Sequence, residues 1–140
     1  MRRSLGLAIV GVLALTAAAC GSDNTPTTPT TPAPAPGTDT FTGTLAPGGT
    51  VMHSFTASAA GPVVVTLTGA GPGSPLVGLG IGVPGANIGG CDLTKTVQTV
   101  AGPIGQLTAS VEAGDYCAGA FDVGTAPSTG VLVTMSVSHP

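Results

Sequence analysis

From residue 40 to the end of the chain, apolar side chains recur at every second position in short runs, and turns containing glycine or proline separate the runs. A period of two is that of a strand with one face buried and the other wet. The alternation predicts eight strands, over 40–45, 50–57, 63–68, 76–83, 96–100, 106–111, 116–123 and 131–138. Between them lie Ala46-Pro47-Gly48-Gly49, Ala60-Gly61-Pro62, Gly71-Pro72-Gly73, Pro84-Gly85, Gly102-Pro103, Ala113-Gly114-Asp115 and Ala126-Pro127. Each supplies a fixed φ or a residue that tolerates positive φ, which is what tight turns require. No window carries the period of a helix.

The same alternation assigns faces, because a slip of one residue would expose every apolar side chain of a strand. Val51, His53 and Phe55 share an inward face, as do Val63, Val65 and Leu67, and Val77, Leu79, Ile81 and Val83. Leu107, Ala109 and Val111, then Tyr116, Ala118 and Ala120, then Val131, Val133, Met135 and Val137 complete the set. Short antiparallel strands with two apolar inner faces make an all-β antiparallel β-sandwich, and eight of them suit a jelly roll. The other face of the fourth strand is Gly78, Gly80 and Gly82, a bare backbone against which a neighbouring loop, or a ligand, can pack closely.

Upstream the pattern stops. Residues 25–40 hold five prolines and seven threonines, a density that excludes helix and central strand. Proline and the residue before it favour extended polyproline II backbone, so the segment reads as a semi-rigid spacer of about 3.1 Å per residue, roughly 40 to 50 Å in all. Further upstream come Met1-Arg2-Arg3, an uncharged run over 5–19 and Ala17-Ala18-Ala19-Cys20. Basic start, apolar middle and small-residue end are the three parts of a secretory signal. The run falls short of the 20 or so apolar residues a bilayer span requires. The expected organisation is a signal peptide at 1–19, a tether at 20–37 and one domain at 38–140.

Composition then narrows the function. Glycine and proline together number 36 of 140 residues, about a quarter, without a collagen period. Beyond residue 3 the only cation is Lys95, against six acids. Nucleic-acid binding and polybasic membrane binding both need clusters of Lys and Arg, so both are excluded.

Candidate chemistry is sparse. The imidazoles are His53, which alternates with Val51 and Phe55 and reads as a core or rim histidine, and His139, next to the last residue. Motifs for a serine hydrolase, a zinc peptidase, a phosphate-binding loop or a redox Cys-x-x-Cys pair are missing. Asp92, Glu112, Asp115 and Asp122 are acids that could supply a glycosidase pair on paper, yet three of them lie in or beside turns and read as solvated. The reading calls for no cofactor and no metal. Were calcium to bind, its carboxylates would be those of Asp92, Asp115 and Asp122, although no Asp-x-Asp-x-Asp-Gly loop is present. With Cys20 set aside, Cys91 and Cys117 remain in an exported chain, where disulfides persist. A bridge between them would close 26 residues and contribute about 3 to 4 kcal/mol by loop entropy.

Two resemblances add to this. Leu15-Thr16-Ala17-Ala18-Ala19-Cys20-Gly21-Ser22 resembles a bacterial lipobox, with Ala17 where that motif prefers Leu. The resemblance implies lipid attachment at the Cys20 sulfur, and two or three acyl chains anchor durably where one does not. Second, Phe41 to Leu45, Gly49 to Phe55 with Ala60-Gly61, the Val63 to Thr68 strand, Ala113-Gly-Asp-Tyr-Cys117 with Phe121 to Gly124, and Val131 to Pro140 resemble the bacterial pre-peptidase C-terminal domain. That family implies an extracellular, usually non-catalytic β-sandwich. Gly73-Ser74-Pro75-Leu76 stands where the family commonly has aspartates, and no peptidase is attached. The expectation is a non-catalytic, lipid-anchored module of the bacterial cell envelope that presents a surface to a protein or glycan. A small secreted hydrolase and a purely structural envelope component are the alternatives.

Overall fold

The computed structural model describes residues 35–140. The expected signal peptide, Cys20 and most of the expected tether lie outside them. Eight strands follow in order: β1 (Gly37–Leu45), β2 (Thr50–Ala57), β3 (Gly61–Ala70), β4 (Val77–Pro84), β5 (Cys91–Thr99), β6 (Leu107–Val111), β7 (Gly114–Asp122) and β8 (Val131–His139), with a single 3₁₀ turn at Ile88–Gly90. They form two four-stranded sheets, ordered β1-β8-β3-β6 and β2-β7-β4-β5. Every pairing is antiparallel. That order is the double Greek key of a jelly roll.

The inward faces meet as the alternation requires. Val63, Val65 and Leu67 of β3, Val77, Leu79 and Ile81 of β4, and Val133, Met135 and Val137 of β8 are buried in one core together with Leu45, Phe55 and Leu107. Each side chain of this size contributes about 1.5 to 3 kcal/mol when fully buried. Val83 departs from the expectation and is 42% exposed. The β4–β7 pairing ends at Gly82, so the last two residues of β4 run past the central strand.

β5 differs most from its expected span. It starts at Cys91 rather than 96, and Cys91, expected in a loop, pairs with Pro84. The register between β4 and β5 shifts between Ile81 and Gly82. That irregularity hides the period of two over 91–95, because a bulge puts an extra residue into the alternation.

The glycine face of β4 is covered by neighbouring strands rather than by a loop. The Phe121 ring lies over Gly78 and the Leu93 side chain over Gly80, while the backbone of Asp92 lies over Gly82. Gly119 of β7 sits in the same way beneath Met52. On this face Cys91 and Cys117 form a disulfide, Cα–Cα 5.9 Å, closing the 26 residues between them, and both are buried. The bridge ties the start of edge strand β5 to central strand β7, a link no backbone pairing makes.

Where β3 shifts register between Leu67 and Gly69, the side chain of Gln106 stands in for a strand partner. Its Oε1 accepts from the Leu67 N–H at 2.7 Å, and its Nε2 donates to the Leu67 carbonyl at 3.4 Å and to that of Gly102 at 3.3 Å. At the far edge of the sandwich, Lys95 on edge strand β5 donates from Nζ to the Thr108 carbonyl of β6, the edge strand of the other sheet.

Candidate functional site

The opposite edge, where β1 faces β2, gathers the chemistry. Asp39 and Phe41 take inward positions on β1, His53 and Phe55 on β2, and His139 on β8. Antiparallel pairing sets Gly37 opposite His139 and Asp39 opposite Val137, so Asp39 and His139 are diagonal neighbours on one face. His53 Nε2 is 3.2 Å from Asp39 Oδ2, and His139 Nε2 is 3.6 Å from the same oxygen. Exposure falls from Asp39 at 44% through His53 at 35% to His139 at 14%. Phe41 stacks on the His53 ring with centroids 4.6 Å apart, and Phe55 stacks on His139 at 5.1 Å and on Tyr116 at 5.9 Å.

The sequence pattern read His53 as a core or rim histidine, and the structure puts it on the rim; Asp39 and His139 were missed as its companions. A readable signal was there, since Asp39 precedes Phe41 by two and extends the inward face of β1 upstream of the strand expected from residue 40. The group has half of what nucleophilic catalysis requires. A carboxylate orients an imidazole, but no Ser, Thr or Cys is hydrogen bonded to His53 or His139 among the described residues. The described surface has no enclosed pocket in which a substrate would be held.

The other expected residues are scattered. Asp115 and Asp122 lie at opposite ends of β7. Asp115 accepts from the Thr56 hydroxyl at 2.8 Å, and Asp92 from the Asn87 N–H at 3.1 Å. Asp122 is enclosed by donors: Gly48 N–H at 2.8 Å on Oδ2, and Gly124, Thr125 and Ala126 N–H at 2.9, 3.0 and 2.9 Å on Oδ1. Those N–H groups, Gly48 first, hold its carboxyl below the usual aspartate range. With three donors on one oxygen and one on the other, this carboxylate is held as an anion that caps two loops. Structure therefore does not bring Asp92, Asp115 and Asp122 together, and no three His, Cys, Asp or Glu among the described residues are arranged to hold a metal ion. Cys20 lies outside the described residues. Cys91 and Cys117 are spent on the disulfide.

The outer face of β2-β7-β4-β5 is the second candidate. Met52, Leu93 and Phe121, each half-buried, roof three glycines, Gly78 and Gly80 of β4 and Gly119 of β7. Ser54, Thr96 and Gln98 are exposed around them, and Ile88 adds an apolar side chain 43% exposed. The result is a plateau whose centre carries no charge, with the Phe121 ring over the Gly78 backbone and Asp115 further along the same face.

Comparison with known protein families, curated proteins and solved structures finds no match to this chain.

Proposed function

We propose that the chain is a non-catalytic, lipid-anchored module of the bacterial cell envelope, of the pre-peptidase C-terminal kind, that presents its sandwich on a spacer for contact with a protein or glycan. The observation that carries this reading is the plateau of Met52, Leu93 and Phe121 on the outer face of β2-β7-β4-β5. Glycines beneath it leave no groove, so the face offers area rather than enclosure. An aromatic ring with apolar neighbours and a hydroxyl and amide rim suits contacts in which hydrophobic area and neutral hydrogen bonds share the work. The membrane is a partner through the Cys20 lipid, and nucleic acid is not a partner.

A glycan array and a pull-down from envelope extract, run with the mature chain and its Phe121→Ala variant, test the proposal. Binding that falls tenfold or more in the variant supports it, and no binding to either class overturns it.

The Asp39–His53 pair favours one second reading, a small hydrolase with His53 as general base. Its test is ester and glycoside turnover that disappears in His53→Gln.

A further inference from the structure

We propose that Asp39, His53 and His139 form a proton-dependent clasp that fastens the first half of β1 to the rest of the sandwich. β1 is an edge strand and exchanges backbone hydrogen bonds with β8 alone. Its attachment to the other sheet is made by side chains: the Asp39 carboxylate to His53 of β2, and Phe41 stacked on the His53 ring. His139 reports the position of the same strand, since its ring lies against Gly37 so closely that a Cβ there would meet Cε1 at 3.0 Å.

The two nitrogens of His139 both face oxygens. Nδ1 is 3.5 Å from the Pro140 oxygen and Nε2 is 3.6 Å from Asp39 Oδ2. Nε2 is sealed from solvent without a hydrogen-bond partner. A neutral imidazole has one N–H and one lone pair, so either tautomer turns a lone pair toward an oxygen. Only the doubly protonated ring presents a donor to each, and it also brings a positive charge to the Asp39 carboxylate. His53 Nε2 shares that carboxylate oxygen and completes the fastening.

Besides these three groups, the Pro140 oxygen facing His139 Nδ1 belongs to the carboxylate of the last residue of the sequence, and it touches His139 but not β1. From β7 the nearest titratable side chain is Tyr116, on the far side of Phe55. From β2, the Thr56 hydroxyl holds Asp115. Lys95, the one Lys or Arg among the described residues, is on β5 at the opposite edge. Histidine changes charge between about pH 5 and 8, while aspartates there stay ionised. An imidazolium closes the clasp and a neutral imidazole loosens it, so acid favours the fastened strand and base the loosened one. What loosens is the strand that leads directly to the tether.

Amide hydrogen exchange of the full chain at about pH 5.5 and about pH 8, corrected for intrinsic rates, reads this directly. Protection of residues 37–41 relative to Val63, Val65 and Leu67 of β3 is expected to be about three- to tenfold greater at the lower pH, the size of a charge-assisted hydrogen bond weakened by partial exposure. The ratio should become independent of pH in Asp39→Asn. Should that variant fail to fold, His139→Gln, which keeps an N–H but cannot take up a charge, is expected to flatten the ratio in the same way. An equal ratio at both pH values in the unmodified chain, or a pH dependence that persists in a folded variant, overturns the clasp.

Discussion

The Gly48 N–H donates to the Asp122 carboxylate across 2.8 Å, joining residues 74 positions apart. With three further N–H groups of the β7–β8 connection on its other oxygen, Asp122 fastens two loops at one end of the sandwich. The folded-state carboxyl is held below its ordinary value. Its contribution to stability is therefore present above the unfolded aspartate range and is lost as pH falls through the folded value. Acid titration of the melting temperature should show a fall below about pH 4 that is shallower in Asp122→Asn. Parallel curves for the two proteins would count against the assignment.

Reducing the Cys91–Cys117 bridge, or replacing both cysteines by serine, is expected to cost about 3 to 4 kcal/mol. Urea unfolding with and without reductant measures it. Thiol labelling of the unfolded, unreduced mature domain should find neither of these cysteines free.

Gly78 and Gly80 admit no side chain without moving Phe121 or Leu93. Gly80→Val is expected to destabilise by about 1 to 3 kcal/mol, as overpacking does. The double change Gly80→Ala with Leu93→Ala should recover part of the loss of Gly80→Ala alone, and a denaturant-derived double-mutant cycle tests the coupling.

Lys95 places a charged amine on an inward position of an edge strand and satisfies a carbonyl of the other edge. Inward charges on edges oppose sheet-to-sheet association. Lys95→Met is expected to self-associate, seen by sedimentation as a concentration-dependent shift absent from the unmodified chain. A strictly monomeric variant would show that the edge is protected by other means.

Cys20→Ser should move the protein from the detergent phase to the aqueous phase in a phase-separation assay. Equal retention of both proteins in detergent would remove the lipid assignment.

The period of two exposed the fold because both faces of the sandwich obey it, one side chain at a time. It failed at β5, where a register shift beside Gly82 inserts a residue and breaks the alternation that Cys91 and Leu93 would otherwise begin. The disulfide was legible from the expectation of export and the count of two remaining cysteines. The contact between Asp39 and His139 was not, because they stand 100 positions apart and meet only through the β1–β8 pairing. Nor does anything in Gly78-x-Gly80-x-Gly82 specify its cover, which comes from Phe121 and Leu93 on two other strands.

β1 and β8, first and last in the chain, lie side by side and antiparallel, with Gly37 opposite His139. Tension applied between those two residues would load the hydrogen bonds of that ladder one at a time, from the open end inward, instead of shearing all of them together. A handle attached at each end should thus open this sandwich at low force, whereas pulling from Gly37 against a point on β7 would have to drag β1 past its neighbours.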